Sequence, residues 1–433
     1  MKTKTDKPSL IPRLRFPEFQ NNGEWEVRRL KDVSKIIMGS SPSSKSYNDK
    51  KIGLPLLQGN ADIKNRLSAP RIYTAEITKE CHINDILLSV RAPVGTVAKS
   101  VHNACIGRGI AAIRAIDKNS HEYLYQWLIS NESAWQNISQ GGTFDAVNSD
   151  EVRNLLLPIP LLPEQQKIAD CLSSLDEVIA GERQKLEQLN AHKKGLLQNL
   201  FPQEGETVPK LRFPEFKDSG EWVEKKLGEI YEFKITNSFS RDMLNYEFGE
   251  IKNIHYGDIH TKFNTLFDIK KEIVPFINPD VCIDKIKEDS YCKEGDIIFA
   301  DASEDLNDVG KSIEIFNLNG EKLVSGLHTL LARQKENFFI VGFAGFLFKS
   351  DWIRKQIQKE AQGAKVLGIS TSRISNINIK FPKSKKEQQK IASCLSSLDD
   401  VIQAQQQKIE WLEQHKKGLL QGLFPNVNDG DNG

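Results

Sequence analysis

Residues 164–202 read EQQKIADCLSSLDEVIAGERQKLEQLNAHKKGLLQNLFP, and residues 387–425 read EQQKIASCLSSLDDVIQAQQQKIEWLEQHKKGLLQGLFP, with 28 of 39 positions identical at an offset of 223. In the first copy Ile168, Leu172, Leu175, Ile179, Glu182, Leu186, Leu189, Lys193, Leu196 and Leu200 step alternately by four and three residues, the a/d spacing of a coiled coil. The second copy repeats the series as Ile391, Leu395, Leu398, Ile402, Gln405, Ile409, Leu412, Lys416, Leu419 and Leu423. Polar residues interrupt both seams at the same two places, where they can fix register; for Lys193 and Lys416 the alternatives are exposed helix ends or, with Lys194 and Lys417, contacts to phosphates or partner subunits. Pro163 suits a first helical turn, Ser384 with Glu387 spells a capping box, and Pro202 and Pro425 stop the helices. About 37 residues at 1.5 Å each make a rod roughly 55 Å long. Such a rod must bury its apolar stripe, so the two copies are expected to pair as an antiparallel coiled coil.

The duplication extends outward. PRLRFPEFQNNGEWEVRRLKDV at 12–33 recurs as PKLRFPEFKDSGEWVEKKLGEI at 209–230, with 11 of 22 positions identical at an offset of 197. The middles, about 34–160 and 231–383, have diverged, and only echoes remain. RGIAAIR at 108–114 resembles GLHTLLAR at 326–333, and GGTFDAVNSDEVRNLLLPIP at 141–160 resembles GAKVLGISTSRISNINIKFP at 363–382. Both middles are therefore expected to share one fold, giving a pseudo-two-fold internal repeat. Runs such as DILLSV (85–90), GTVAKSV (95–101), GDIIFA (295–300) and KSIEIF (311–316) read as strands between turn residues. YLYQWLISN (123–131) and GFLFKSDWIRKQIQKEA (345–361) read as helices, so each middle is a mixed α/β globule. Trp25 and Trp222 recur at equal repeat positions, where core packing is the better reading than base stacking.

Composition narrows the function. At 433 residues the chain has room for two to four domains. Fifty-nine Lys+Arg against 58 Asp+Glu leave a net charge of +1, which excludes a polycationic nucleic-acid binder and makes any such contact local. No apolar run approaches the ~20 residues of a membrane helix, and the opening MKTKTDKPSL has no apolar leader segment, so a cytoplasmic location is expected. Cys81, Cys105, Cys171, Cys282, Cys292 and Cys394 contain no CxxC pair, which fits reduced, structural thiols and no metal site.

Catalytic signatures are missing where they would be sought. GKS at 310–312 ends like a phosphate loop, but Asp305 stands where the first glycine belongs. Asn278-Pro279 is followed by Asp280 and Val281 rather than an aromatic residue, and Pro279-Asp280 has no downstream acid-x-Lys of a metal nuclease. Neither G-x-S-x-G nor H-E-x-x-H occurs. A non-catalytic protein is expected.

In the LRFPEF…GEW openings (14–25 and 211–222), the junctions IPLLPEQQKIA (159–169) and KFPKSKKEQQKIA (380–392), and the HKKGLLQ-LFP helix ends, the chain resembles the specificity subunit of type I restriction-modification enzymes. The resemblance covers nearly the whole chain and implies the order of a first target-recognition domain (1–163), a central conserved helix (164–202), a second target-recognition domain (203–386), a distal conserved helix (387–425) and a polar tail (426–433). It further implies recognition of an asymmetric, bipartite double-stranded DNA target. Two modification subunits and the restriction/translocase subunits would dock on the chain, with S-adenosylmethionine, ATP and Mg on those partners and no cofactor here. The alternative is a coiled-coil protein-binding scaffold that never meets DNA.

Arginine reads guanine bidentately and lysine holds phosphate, so candidate contacts are sought among basic residues beside turns. In the first middle these are Arg91, Lys99, Arg108 and Arg114, with Gly142 and Thr143 where a backbone can approach phosphate. In the second they are Lys311, His328, Arg333, Lys365 and Arg373, with Thr371 and Ser372 as neutral hydrogen-bonders. A solvated or ion-paired role is the alternative for the lysines and arginines, a packed or capping histidine for His328, and a plain turn for the glycine position at Gly142.

Overall fold

The short aliphatic runs become the central strands of two sheets, twice over. The structure, a computed structural model, describes residues 10–132, 135, 146–363 and 365–425. Residues 1–183 with 407–433 form one compact unit and residues 184–406 the other, so each long helix contributes a segment to both.

In the first unit the larger sheet runs Ser34–Met38, Ile110–Ala115, Ile86–Ser89, Val97–Lys99, Leu67–Ser68, Ile63–Lys64. The smaller runs Tyr47–Asn48, Ile72–Thr74, Leu54–Leu57, Ala104–Ile106, Glu80–Cys81. The second unit has the same order in shorter form. Its larger sheet is Tyr231–Lys234, Thr329–Gln334, Ile297–Ala300, Ser312–Asn317, Leu266–Asp268, and its smaller is Leu244–Asn245, Phe276–Ile277, Ile251–Ile254, Lys322–Ser325. Register agrees as well: Ile113 opposes Ile86 in one unit, and Ala332 opposes Ile297 at the matching rung in the other. The expected common fold is thus present despite the diverged sequence, because strand identity needs only apolar β-formers at the buried rungs. Residues 123–131 lie in the helix His121–Ser130, apart from Asn131 as its C-cap. The stretch 345–361 forms two helices rather than one, Ala344–Leu347 and Asp351–Glu360, because Ser350 takes an extended conformation between them.

The long helices run Leu162–Asn199 and Lys385–Leu423. All sixteen apolar seam residues, from Ile168 to Leu200 and from Ile391 to Leu423, are buried or half-buried. Within the first unit Lys416 Nζ reaches Asp176 at 2.6 Å, Lys408 reaches Glu182 at 2.5 Å and Arg183 reaches Glu413 at 2.6 Å, so the paired numbers run in opposite directions. Within the second, Lys193 pairs with Asp399, the repeat mate of the Lys416–Asp176 bridge. The seam lysines are therefore ion-paired across the helices, not exposed ends. Burial pulls the Lys416 ammonium below its ordinary pKa while Asp176 holds it up.

Each helix is riveted to its unit at the start. Arg15 donates two hydrogen bonds to the Glu164 carboxylate, at 2.8 and 2.9 Å, and Trp25 Nε1 donates a third at 3.3 Å. Arg212, Glu387 and Trp222 repeat this at 2.8, 2.9 and 3.2 Å. Both tryptophans lie in the hydrophobic cores, as expected. The capping box is only half formed. Ser384 Oγ accepts from the Glu387 amide, but the Glu387 carboxylate, 1 % exposed, turns to Arg212 because a buried charge needs a full counter-charge. Helix ends match too: the Leu14 amide donates to the Gly422 carbonyl and the Leu211 amide to Asn199, both at 2.8 Å. The first core joins Ile86, Leu88, Ile113, Tyr123 and Trp127 to Ile168, Leu172, Leu423 and Phe424. The second joins Ile297, Phe299, Phe343 and Phe346 to Leu200, Phe201, Ile391 and Leu395. All six cysteines are free thiols, and no helix among the described residues is long and apolar enough to cross a membrane.

Candidate nucleic-acid interface

In each unit three loops meet at one end of the sheets, drawn together by the parallel pairing of strands distant in sequence. In the first unit the Ser40 amide donates to Ile106 at 2.9 Å, Gly107 to Leu57 at 2.8 Å and Val90 to Gly109 at 2.9 Å. The second unit repeats all three: Asn237 to Ser325 at 2.9 Å, Gly326 to Ile254 at 2.9 Å and Asp301 to His328 at 3.0 Å. These bonds align the units residue for residue. Gln58 corresponds to His255, Gly59 to Tyr256, Arg91 to Ala302, Arg108 to Leu327 and Gly109 to His328. The backbone is common, and the side chains presented on it are not.

The first unit's loops approach so closely that glycine is required. A Cβ on Gly39 would lie 2.1 Å from the Gly107 carbonyl oxygen, and one on Gly109 2.1 Å from that of Gln58. Arg108 rises from this clamp, its amide donating to Ser41 Oγ at 3.2 Å, and its side chain is exposed. Arg91 follows Val90 on the same rim, bridged through its backbone to Ala146, and is likewise exposed. Neither guanidinium has a hydrogen-bond or ion-pair partner among the described residues. Gly142 and Thr143 fall outside the described residues.

The second unit's loops carry an imidazole–tyrosine cluster. The Tyr256 ring lies 4.6 Å from His255, 5.3 Å from His328 and 6.0 Å from His260, centroid to centroid. His328 is exposed with φ at 56°, and its Nδ1 meets Asp301 at 3.2 Å. Burial, then the nearby Arg241, holds the His255 imidazole below its ordinary pKa. Arg241 and Lys262 both pair with the buried Asp258, at 2.9 and 3.0 Å. Beneath Gly326 lies Asn253, fully buried, with neither side-chain amide atom hydrogen-bonded among the described residues. Lys311 reaches the His260 carbonyl at 2.6 Å and Asp308 at 3.5 Å. Lys365 is exposed in the turn between Gln362 and Gly368, beside Ala302. Thr371 and Ser372 are exposed on the helix Thr371–Ser375, whose entry is tied to the rim by the Ile369 amide on Asp301 at 2.9 Å.

Besides Lys311 and His328, four of the basic candidates have internal partners. Arg114 grips the buried Asp85 at 2.6 and 2.7 Å, and Arg333 grips the buried Asp296 at 3.0 and 2.7 Å as well as Asp289. These are repeat mates, which explains the RGIAAIR and GLHTLLAR echo as a shared ion pair within the sheet. Lys99 bonds Glu122 at 2.6 Å over the Tyr125 ring, in the wall of a cleft of about 1360 Å³. Arg373 meets Glu360 at 3.4 Å. Gln58, His255, Tyr256 and Arg241 were not singled out from sequence, since only crossing strands bring their loops to the echoed turn.

The sequence profile of the type I restriction modification DNA specificity domain matches residues 22–191 and again 219–414. The MjaIX type I restriction enzyme specificity subunit of Methanocaldococcus jannaschii is 25 % identical over 423 residues, 92 % of each chain. A specificity subunit named for MjaX in the same organism is 36 % identical over 181 residues, 41 % of this chain and 43 % of that relative. Among solved structures, the type I restriction-modification S subunit of M. genitalium aligns with a TM-score of 0.56 at 16 % identity, covering 96 % of this chain and 99 % of that one.

Proposed function

Because the chain belongs to the type I restriction modification DNA specificity family, which matches it twice, we propose that it selects an asymmetric bipartite DNA target. Each unit reads one half-site through its rim of three loops. The long helices, roughly 57 Å for 38 residues, set the gap between the halves and offer the surface on which modification and restriction subunits dock. Those partners supply adenine methylation from S-adenosylmethionine and the ATP- and Mg-dependent steps. To be methylated, an adenine must leave the duplex, and this chain assists by holding the flanking DNA.

One observation carries the reading. The two rims share their backbone hydrogen bonds and differ in the side chains they present, which is what one scaffold reading two different sequences requires. The test is to co-express the chain with its modification subunit and map methylated adenines in the host DNA. A split motif with unlike halves and a constant gap is the expected result. Methylation without such a motif, or salt-insensitive binding of the assembled complex without sequence preference, would refute it in favour of a protein-binding scaffold.

A further inference from the structure

We infer that Arg91 and Arg108 of the first unit read guanine, and that the second unit, lacking both, reads its half-site without arginine at the equivalent positions. The inference rests on the DNA-reading function proposed above and assigns its chemistry unit by unit. On the rim of the first unit the guanidiniums of Arg91 and Arg108 project into solvent without a partner among the described residues, whereas that of Arg114, on the strand that leaves the rim, is bound to the buried Asp85. Their backbones are neighbours, since Val90 donates to Gly109 at 2.9 Å. The turn that carries Arg108 is held from three sides, by Ser41 Oγ on its amide, by Leu57 on Gly107 and by Ile106 on Ser40. Such a base does not reorganise on binding, which favours directional contacts over loose phosphate neutralisation. A guanidinium presented this way matches the O6 and N7 acceptors of guanine in the major groove.

The second unit offers different groups on the same frame. Ala302 and Leu327 stand where Arg91 and Arg108 stand, and neither side chain donates a hydrogen bond. The His328 imidazole and the Tyr256 ring, 5.3 Å apart and edge to face, stand on its rim beside Arg241, which is held on the buried Asp258. The two half-sites must then differ in kind: one is anchored by guanine, the other by contacts to imidazole and phenol.

The experiment maps methylated adenines in cells expressing the modification subunit with the wild-type chain, Arg91→Ala, Arg108→Ala, Arg108→Lys or His328→Ala. Wild-type methylation must first yield a bipartite motif; if it does not, the proposed function fails rather than this assignment. Given the motif, Arg91→Ala and Arg108→Ala are each expected to lose discrimination at a guanine of one and the same half-site, by roughly 5- to 150-fold. Arg108→Lys should relax the same position, because an ammonium cannot make the bidentate contact. His328→Ala should alter the other half-site only. An unchanged motif in the arginine variants, a uniform weakening at every site, or full restoration by Arg108→Lys would each overturn the assignment, the last two marking a phosphate contact instead.

Discussion

Glu314 is the most exacting test of the second unit's interior. Its side chain is fully buried on the strand Ser312–Asn317, and its two oxygens accept from the Gly342 and Gly345 amides at 2.8 and 2.6 Å. Burial raises its pKa from an ordinary value near 4.5 to about 7, with the two amides pulling the other way. Between those pH values the folded chain keeps a proton that the unfolded chain has lost, so stability falls as pH rises through this window. Below it the carboxyl is neutral in both states and the penalty is absent. Above it the penalty is complete, about 2.5 pH units at 1.36 kcal/mol each, or roughly 3 kcal/mol. Glu314→Gln removes the titration at the cost of turning an amide N–H toward a backbone N–H, a loss of about 1–3 kcal/mol that does not depend on pH. Hydrogen exchange of residues 338–348, compared between wild type and variant at each pH from 4 to 8.5, reads the difference directly. The variant should be the less protected at pH 4.5 and gain on the wild type by roughly 3 kcal/mol by pH 8. A constant gap between the two across that range would refute the reasoning.

Three further outcomes follow from the same physics. Glu164→Gln or Glu387→Gln should cost about 3–5 kcal/mol by stranding a buried arginine, read as lost exchange protection at that helix start; a loss below about 1 kcal/mol would mean the rivet is not buried in solution. Arg114→Ala and Arg333→Ala should lower stability through the orphaned Asp85 and Asp296 without changing the methylated motif at sub-stoichiometric expression; a relaxed motif from either would make it a base reader after all. Inserting four residues at matched points of both long helices adds about 6 Å, so the preferred gap should lengthen by one or two base pairs while both half-sites persist, and an unchanged gap in methylation mapping would contradict the ruler.

The seam is the part of the molecule most open to sequence reading, because a local period of 3.5 residues needs no knowledge of the partner. All sixteen apolar seam residues are buried or half-buried where the spacing puts them. The polar interruptions were readable as positions but not as interactions. That Lys416 meets Asp176 and Lys193 meets Asp399 depends on which helix segments pair, a long-range fact. Glu387 shows the limit of local rules. Its spacing from Ser384 predicts a capping box, and a buried arginine from 175 residues away takes the carboxylate instead.

The candidate rims divide along the same line. A duplicated helix, an α/β alternation and a charge balance of nearly zero are written in residue types and spacing, so architecture and family were legible from the chain alone. Which arginines were left outward was not. Arg91, Arg108, Arg114 and Arg333 look alike in sequence, sitting by turns beside apolar strands. Only folding puts Asp85 and Asp296 under the last two and solvent in front of the first two. Ion pairing is decided by distance across strands rather than by order along them, and it is the tertiary structure that brings the charges within 3 Å or keeps them apart.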